Sequence, residues 1–127
     1  MEWHIAADSP IYVQLARQVM LGIVSGEFAP GEKLPPVREL ALSAGVNPNT
    51  MQRAMAELER EGLVFPQRTA GRFVTEDAGK IERACERLAR EETGRYLRTM
   101  RALGRSGEDV RALVDALTGK EEDDAGV

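Results

Sequence analysis

Three observations in the sequence predict a mainly α-helical chain that carries one small β-hairpin. Between Val37 and Glu61, two helix-forming segments meet across a short turn containing Gly45. After Gly62, two short β-prone runs flank a loop that includes Gly71. From Ala78 onward Arg, Glu, Ala and Leu dominate, with apolar residues recurring at helical spacing.

Taken in order, Met1 to Asp8 has little pattern; Trp3 and Ile5 are expected to pack as a lid on the first helix, with His4 at the surface. Ser9-Pro10 gives a capping residue followed by proline, a helix start. Ile11, Leu15, Val19 and Ile23 repeat every four residues with Tyr12, Ala16 and Met20 beside them, one apolar face that ends near Ser25-Gly26. Phe28, the turn pair Pro30-Gly31 and Lys33-Leu34-Pro35-Pro36 lead to a short second helix with Val37, Leu40 and Ala41 on its inner side.

The third helix has the clearest start. Asn47 can cap free backbone N–H groups, and Pro48 occupies the first helical position, where its missing N–H costs nothing. Met51, Ala54, Met55 and Leu58 fall at i, i+3, i+4 and i+7 and define a core face. At about 100° per residue, Asn49, Arg53, Ala56 and Arg60 lie opposite, with Gln52 beside them. Two helices joined by a short Gly-containing turn form a helix-turn-helix, and its second helix enters the major groove of DNA. Asn, Gln and Arg are the side chains suited to base edges and phosphates there.

Gly62 is the expected left-handed stop of that helix. Leu63-Val64-Phe65 and Arg72-Phe73-Val74-Thr75 then read as a hairpin around residues 66–71, a wing with Arg68 and Arg72 flanking its tip. The boundaries expected are a winged helix-turn-helix domain over 1–77, a short two-helix dimerisation region over 78–119, and a disordered acidic tail over 120–127. In the dimerisation region Ile81, Ala84, Cys85 and Leu88, then Tyr96, Leu97, Met100 and Leu103, form the stripe of a long helix, with a kink or fraying expected at Glu91 to Gly94. Gly104 ends that helix; Ser106 with Asp109 caps the next, whose apolar face is Val110, Leu113, Val114 and Leu117. Two such helices cannot enclose a core by themselves: their stripes must pack on the winged domain, on a second copy, or both, and a two-fold homodimer is the simplest solution. The alternative for 80–105, with 8 basic and 4 acidic residues, is a basic helix facing DNA or a membrane.

Composition narrows the function. The 127 residues hold no run of 18 apolar residues and no basic, hydrophobic leader, so neither a membrane span nor a signal peptide is expected. One Cys and one His leave no disulfide framework and no zinc or Cys/His catalytic set; the cytoplasm is the expected compartment. Glu57, Glu59 and Glu61 alternate along a helix and share no face, and no phosphate loop or nucleophile–base pair is visible, so no enzyme, metal or cofactor is expected. Cys85 is expected as a buried packing residue. The net charge of −4, with −3 in residues 1–77, requires DNA contacts to come from local clustering of cations.

In series, Pro10 to Gln14, Gly26 to Pro35, Val37 to Ala41, Gly45 to Thr50, Ala54 to Leu63, and Gly71 with Phe73-Val74 resemble the GntR family of bacterial transcriptional regulators. The Asn47-Pro-Asn-Thr50 element and the short C-terminal region look most like its YtrA-type subfamily, in which a winged helix-turn-helix precedes a small two-helix dimerisation region. The resemblance implies DNA contacts from Arg38, from Asn47, Asn49 and Thr50 with Gln52 and Arg53, and from Arg68 and Gly71 in the wing, beside the Arg72 read from the hairpin. Three positions depart from the family pattern: Pro36 where Ser is frequent, Pro48 where many relatives have Arg, and Thr69 where the wing often has Gly. The expected function is that of a repressor binding an inverted-repeat operator in double-stranded DNA as a homodimer. The alternative is a winged-helix protein-interaction module without specific DNA binding. An unidentified small-molecule effector stays open as an expectation, though no polar constellation marks one.

Overall fold

The computed structural model describes the backbone through Ala125 and side chains through Gly119. Its elements are α1 (Ile11–Val24), α2 (Val37–Ala44), α3 (Pro48–Arg60), β1 (Val64–Gln67), β2 (Gly71–Val74), α4 (Ala78–Ala102) and α5 (Gly107–Ala125). The mainly helical fold with one hairpin is as the sequence predicts. Among the described residues no helix is long and apolar enough to cross a membrane.

The chain divides into two compact units, Met1–Leu88 and Ala89–Val127. In the first, α3 packs against both α1 and α2. Leu15, Val19 and Ile23 of α1, Leu40 and Ala41 of α2, and Met51, Ala54, Met55 and Leu58 of α3 are all buried. Leu63, Val64 and Val74 extend this core under the hairpin. Phe28 folds back onto α1: its N–H donates to the Gly22 carbonyl (3.0 Å), and its ring lies 2.8 Å from where a Cβ on Gly22 would stand.

Two expectations for the N-terminal arm change. Ser9 does not cap α1: Pro10 occupies the cap position, its carbonyl accepts the Gln14 N–H, and the Ser9 carbonyl accepts from Gln14 Nε2 instead. The lid over α1 is half made. Trp3 packs on the core and donates to Ser43 Oγ of α2 (2.9 Å), whereas Ile5 is exposed. What fastens this arm is a pair of amides: Gln18 bonds both backbone groups of His4, and Gln14 both of Ala6.

The hairpin is tighter than expected. Its register pairs Val64 with Val74, Phe65 with Phe73, Pro66 with Arg72 and Gln67 with Gly71, leaving a three-residue connection. Pro66 is tolerated because it stands on an edge strand, where a missing N–H breaks no central ladder. Residues 31–34 add backbone bonds to the other side of β2, from Leu34 N–H to the Arg72 carbonyl and from Val74 N–H to the Glu32 carbonyl.

Asp77 caps α4 by accepting from the N–H groups of Gly79 (2.9 Å) and Lys80 (3.2 Å). The helix runs unbroken to Ala102, so the interruption expected at Glu91 to Gly94 does not end it. Ala84 and Leu88 are buried in the first unit's core with Ile81 packed beside them, which moves the division of the chain from 77/78 to 88/89. Cys85 is exposed, correcting its expected burial, because Ala84 and Leu88 are the residues that turn inward and Cys85 sits one position round the helix. In the second unit Met100 and Val110 are buried; Tyr96, Leu97, Leu103, Leu113, Val114 and Leu117 are exposed. Ser106 and Asp109 form the expected capping box, Asp109 Oδ2 accepting from Ser106 N–H (2.9 Å) and Ser106 Oγ from Asp109 N–H (3.1 Å). Helix α5 takes in 120–125 of the acidic tail, and residues 126 and 127 lie outside the described residues.

Candidate nucleic-acid interface

The turn between α2 and α3 is three residues long, Gly45, Val46 and Asn47. Gly45 takes a left-handed backbone (φ 70°) that lets α2 stop and the chain reverse. Asn47 Oδ1 then accepts the Asn49 N–H (2.8 Å), and Pro48 opens α3. Asn47 is thus partly engaged in shaping the site: its oxygen serves the cap.

With Met51, Ala54, Met55 and Leu58 fully buried, α3 is fixed in rotation, and Asn49, Gln52 and Arg53 are left exposed on its outer face. Asn49, Thr50 and Arg53 line one open groove together with Ile11 and Tyr12 of α1. The Arg53 guanidinium carbon lies 3.9 Å from the centroid of the Tyr12 ring. Arg38 is exposed on α2, and Arg68, Gly71 and Arg72 stand on the hairpin, outside that groove.

The wing tip is built on two positive-φ residues, Gly71 (φ 103°) and Thr69 (φ 64°). Glycine enters this region freely, whereas a β-branched residue there is a conformational outlier. Threonine therefore takes the backbone that glycine often supplies, and the tip still closes through Ala70 N–H donating to the Gln67 carbonyl (3.1 Å). Phe65 and Phe73 stack across the strands with ring centroids 6.1 Å apart.

Ion pairs occupy the carboxylates at the C-terminal end of α3. Each carboxylate at the C-terminal end of α3 has an arginine: Glu57 with Arg60 (3.1 Å), Glu59 with Arg72 (2.5 Å), and Glu61 with Arg87 (2.9 Å). Arg72 is thereby committed to bracing the wing against α3. Among the described residues Arg38, Arg53 and Arg68 have no carboxylate partner.

Two residues join the site that the sequence alone did not point to. Periodicity placed Tyr12 in the apolar stripe of α1, yet it is only half-buried and holds Arg53. Lys33, in a segment read as loop, bridges to Phe73 and extends over Gly71, its Cε 3.1 Å from where a Cβ there would stand. The signal for Tyr12 was an aromatic with a polar tip at the edge of the stripe; for Lys33 there was none.

A short helix, a Gly turn, an exposed polar helix face and a β-wing together define a winged helix-turn-helix DNA-binding domain. The family model for bacterial regulatory proteins of the gntR family matches residues 11–74. The HTH-type transcriptional regulator YhcF of Bacillus subtilis is 38% identical over 118 residues, spanning 93% of this chain and 98% of that protein. The transcriptional repressor YtrA of the same organism is 43% identical over 72 residues, 57% of this chain and 55% of its own. A GntR family transcriptional regulator from Listeria monocytogenes has a TM-score of 0.78 at 37% identity, covering 88% of this chain and 98% of that one. The chain belongs to the GntR family: it is a transcriptional regulator with a DNA-binding domain.

Proposed function

We propose that the chain acts in the cytoplasm as a homodimeric repressor of an inverted-repeat operator in double-stranded DNA. One observation carries the reading. Of the cations near the helix-turn-helix and wing, the arginines left without carboxylates are Arg38, Arg53 and Arg68, on α2, α3 and the wing tip. Phosphate contacts from Arg38, Thr50 and Arg68 set the register of the domain, and Asn49, Gln52 and Arg53 address base edges.

The dimer is supported by the second unit, which leaves Tyr96, Leu97, Leu103, Leu113, Val114 and Leu117 exposed in the single chain. A second copy covers that face and gives two half-sites about one helical turn apart. Repression is supported by the similarity to YtrA, named a repressor.

The test is a titration of the purified chain against a duplex from its own promoter region and a scrambled duplex of equal length, at two salt concentrations. Tight binding to the promoter duplex alone is expected. Equal, steeply salt-dependent binding to both would leave only phosphate contacts and contradict specific readout at that site. Binding to neither would favour a protein-interaction module.

A further inference from the structure

Tyr12 lies in the first turn of α1, and its ring carries the guanidinium of Arg53 at 3.9 Å. Both residues line the groove shared with Ile11, Asn49 and Thr50. A cation over an aromatic face is held by the ring quadrupole, and that contact uses none of the guanidinium's five N–H donors. The planar fork therefore keeps its edge free while its plane is fixed. An arginine on an open helix face must otherwise give up rotamer freedom when it binds, and prior ordering removes that penalty.

We infer that Tyr12 is the positioning residue that presets Arg53 for a guanine edge, so that the ring of α1 sets how strictly α3 reads one base pair in each half-site. The inference rests on the DNA-binding reading above. The Tyr12 ring face does the work and its hydroxyl is dispensable. A fork held in one plane matches the paired acceptors of guanine, O6 and N7, and mismatches the donor that adenine presents beside its N7.

The experiment starts from random duplexes enriched by the full-length wild-type chain; the best duplex and its single-base-pair variants are the probes. Tyr12→Phe is expected to bind as wild type, and Tyr12→Leu to lose roughly three- to thirtyfold in affinity. The loss should vanish in the Arg53→Ala background, because both changes remove one coupled interaction. Tyr12→Leu should also relax preference at the base pair that Arg53→Ala relaxes. Wild-type affinity in Tyr12→Leu, an equal loss in the Arg53→Ala background, or a uniform loss across all base-pair variants would each overturn the inference while leaving DNA binding intact. Failure of the wild type to enrich any sequence would overturn the DNA reading and this inference with it, before any variant is made. Leucine preserves the apolar contact of Tyr12 with the core; should its unfolding temperature fall, Tyr12→Met takes its place under the same criteria.

Discussion

The two compact units differ in where their apolar residues point. In the first, Met51, Met55 and Leu58 are 0% exposed, closed in by α1, α2 and the hairpin. In the second, Leu103, just past the end of α4, and Leu117 of α5 are 66% and 60% exposed. Burial of apolar area is the main favourable contribution to folding. The first unit therefore carries its own stability, while the second leaves much of its apolar surface uncovered in the single chain.

The difference can be broken from the first unit's side most severely. Leu58→Ala should destabilise the chain by about 2–5 kcal/mol, since a fully enclosed leucine leaves a cavity when truncated; urea unfolding followed by circular dichroism measures it. From the other side, Leu113→Asp should weaken self-association by at least about thirtyfold, or ~2 kcal/mol, if Leu113 is central to the covered face. Sedimentation velocity measures that loss, and unfolding of the first unit should hardly move. An equal loss of stability in the first unit would erase the contrast.

Smaller effects sharpen it. Thr69→Gly should stabilise the wing by about 1 kcal/mol by removing a side chain from a left-handed backbone, read as a rise in unfolding midpoint. The smallest effect is in the second unit. The Ser106 backbone N–H, then its hydroxyl, hold the Asp109 carboxyl below its ordinary range, with Arg105 adding to the shift. Because the folded value is the depressed one, the cap's contribution is present above the ordinary carboxylate range and fades as pH falls through the folded value. The unfolding difference between wild type and Asp109→Asn should accordingly shrink on acidification.

Much of the first unit was legible in the sequence because its signals are local. Gly45, Asn47-Pro48 and Gly62 punctuate the helices by backbone geometry, and the 3.6-residue period of Met51 to Leu58 fixes which face of α3 is buried. The parts that escaped are set by partners distant in sequence. Tyr12 shares a period with the core and packs at its edge, where its ring also meets Arg53, 41 positions along. Arg72 looked like a wing-tip cation until Glu59 claimed it. Cys85 and Leu88 belong to one predicted stripe, yet only Leu88 reaches the core, because a periodicity shared by neighbours does not say which one faces inward.

The most direct test of the central claim is a hydroxyl-radical footprint of the full-length chain on its selected duplex. A homodimeric reader should protect two symmetric patches on one face of the DNA, centred about one helical turn apart, and Leu113→Asp should weaken both together. A single protected patch, unchanged in Leu113→Asp, would contradict the claim: the first unit would then read DNA alone, and the exposed face of the second would serve another purpose.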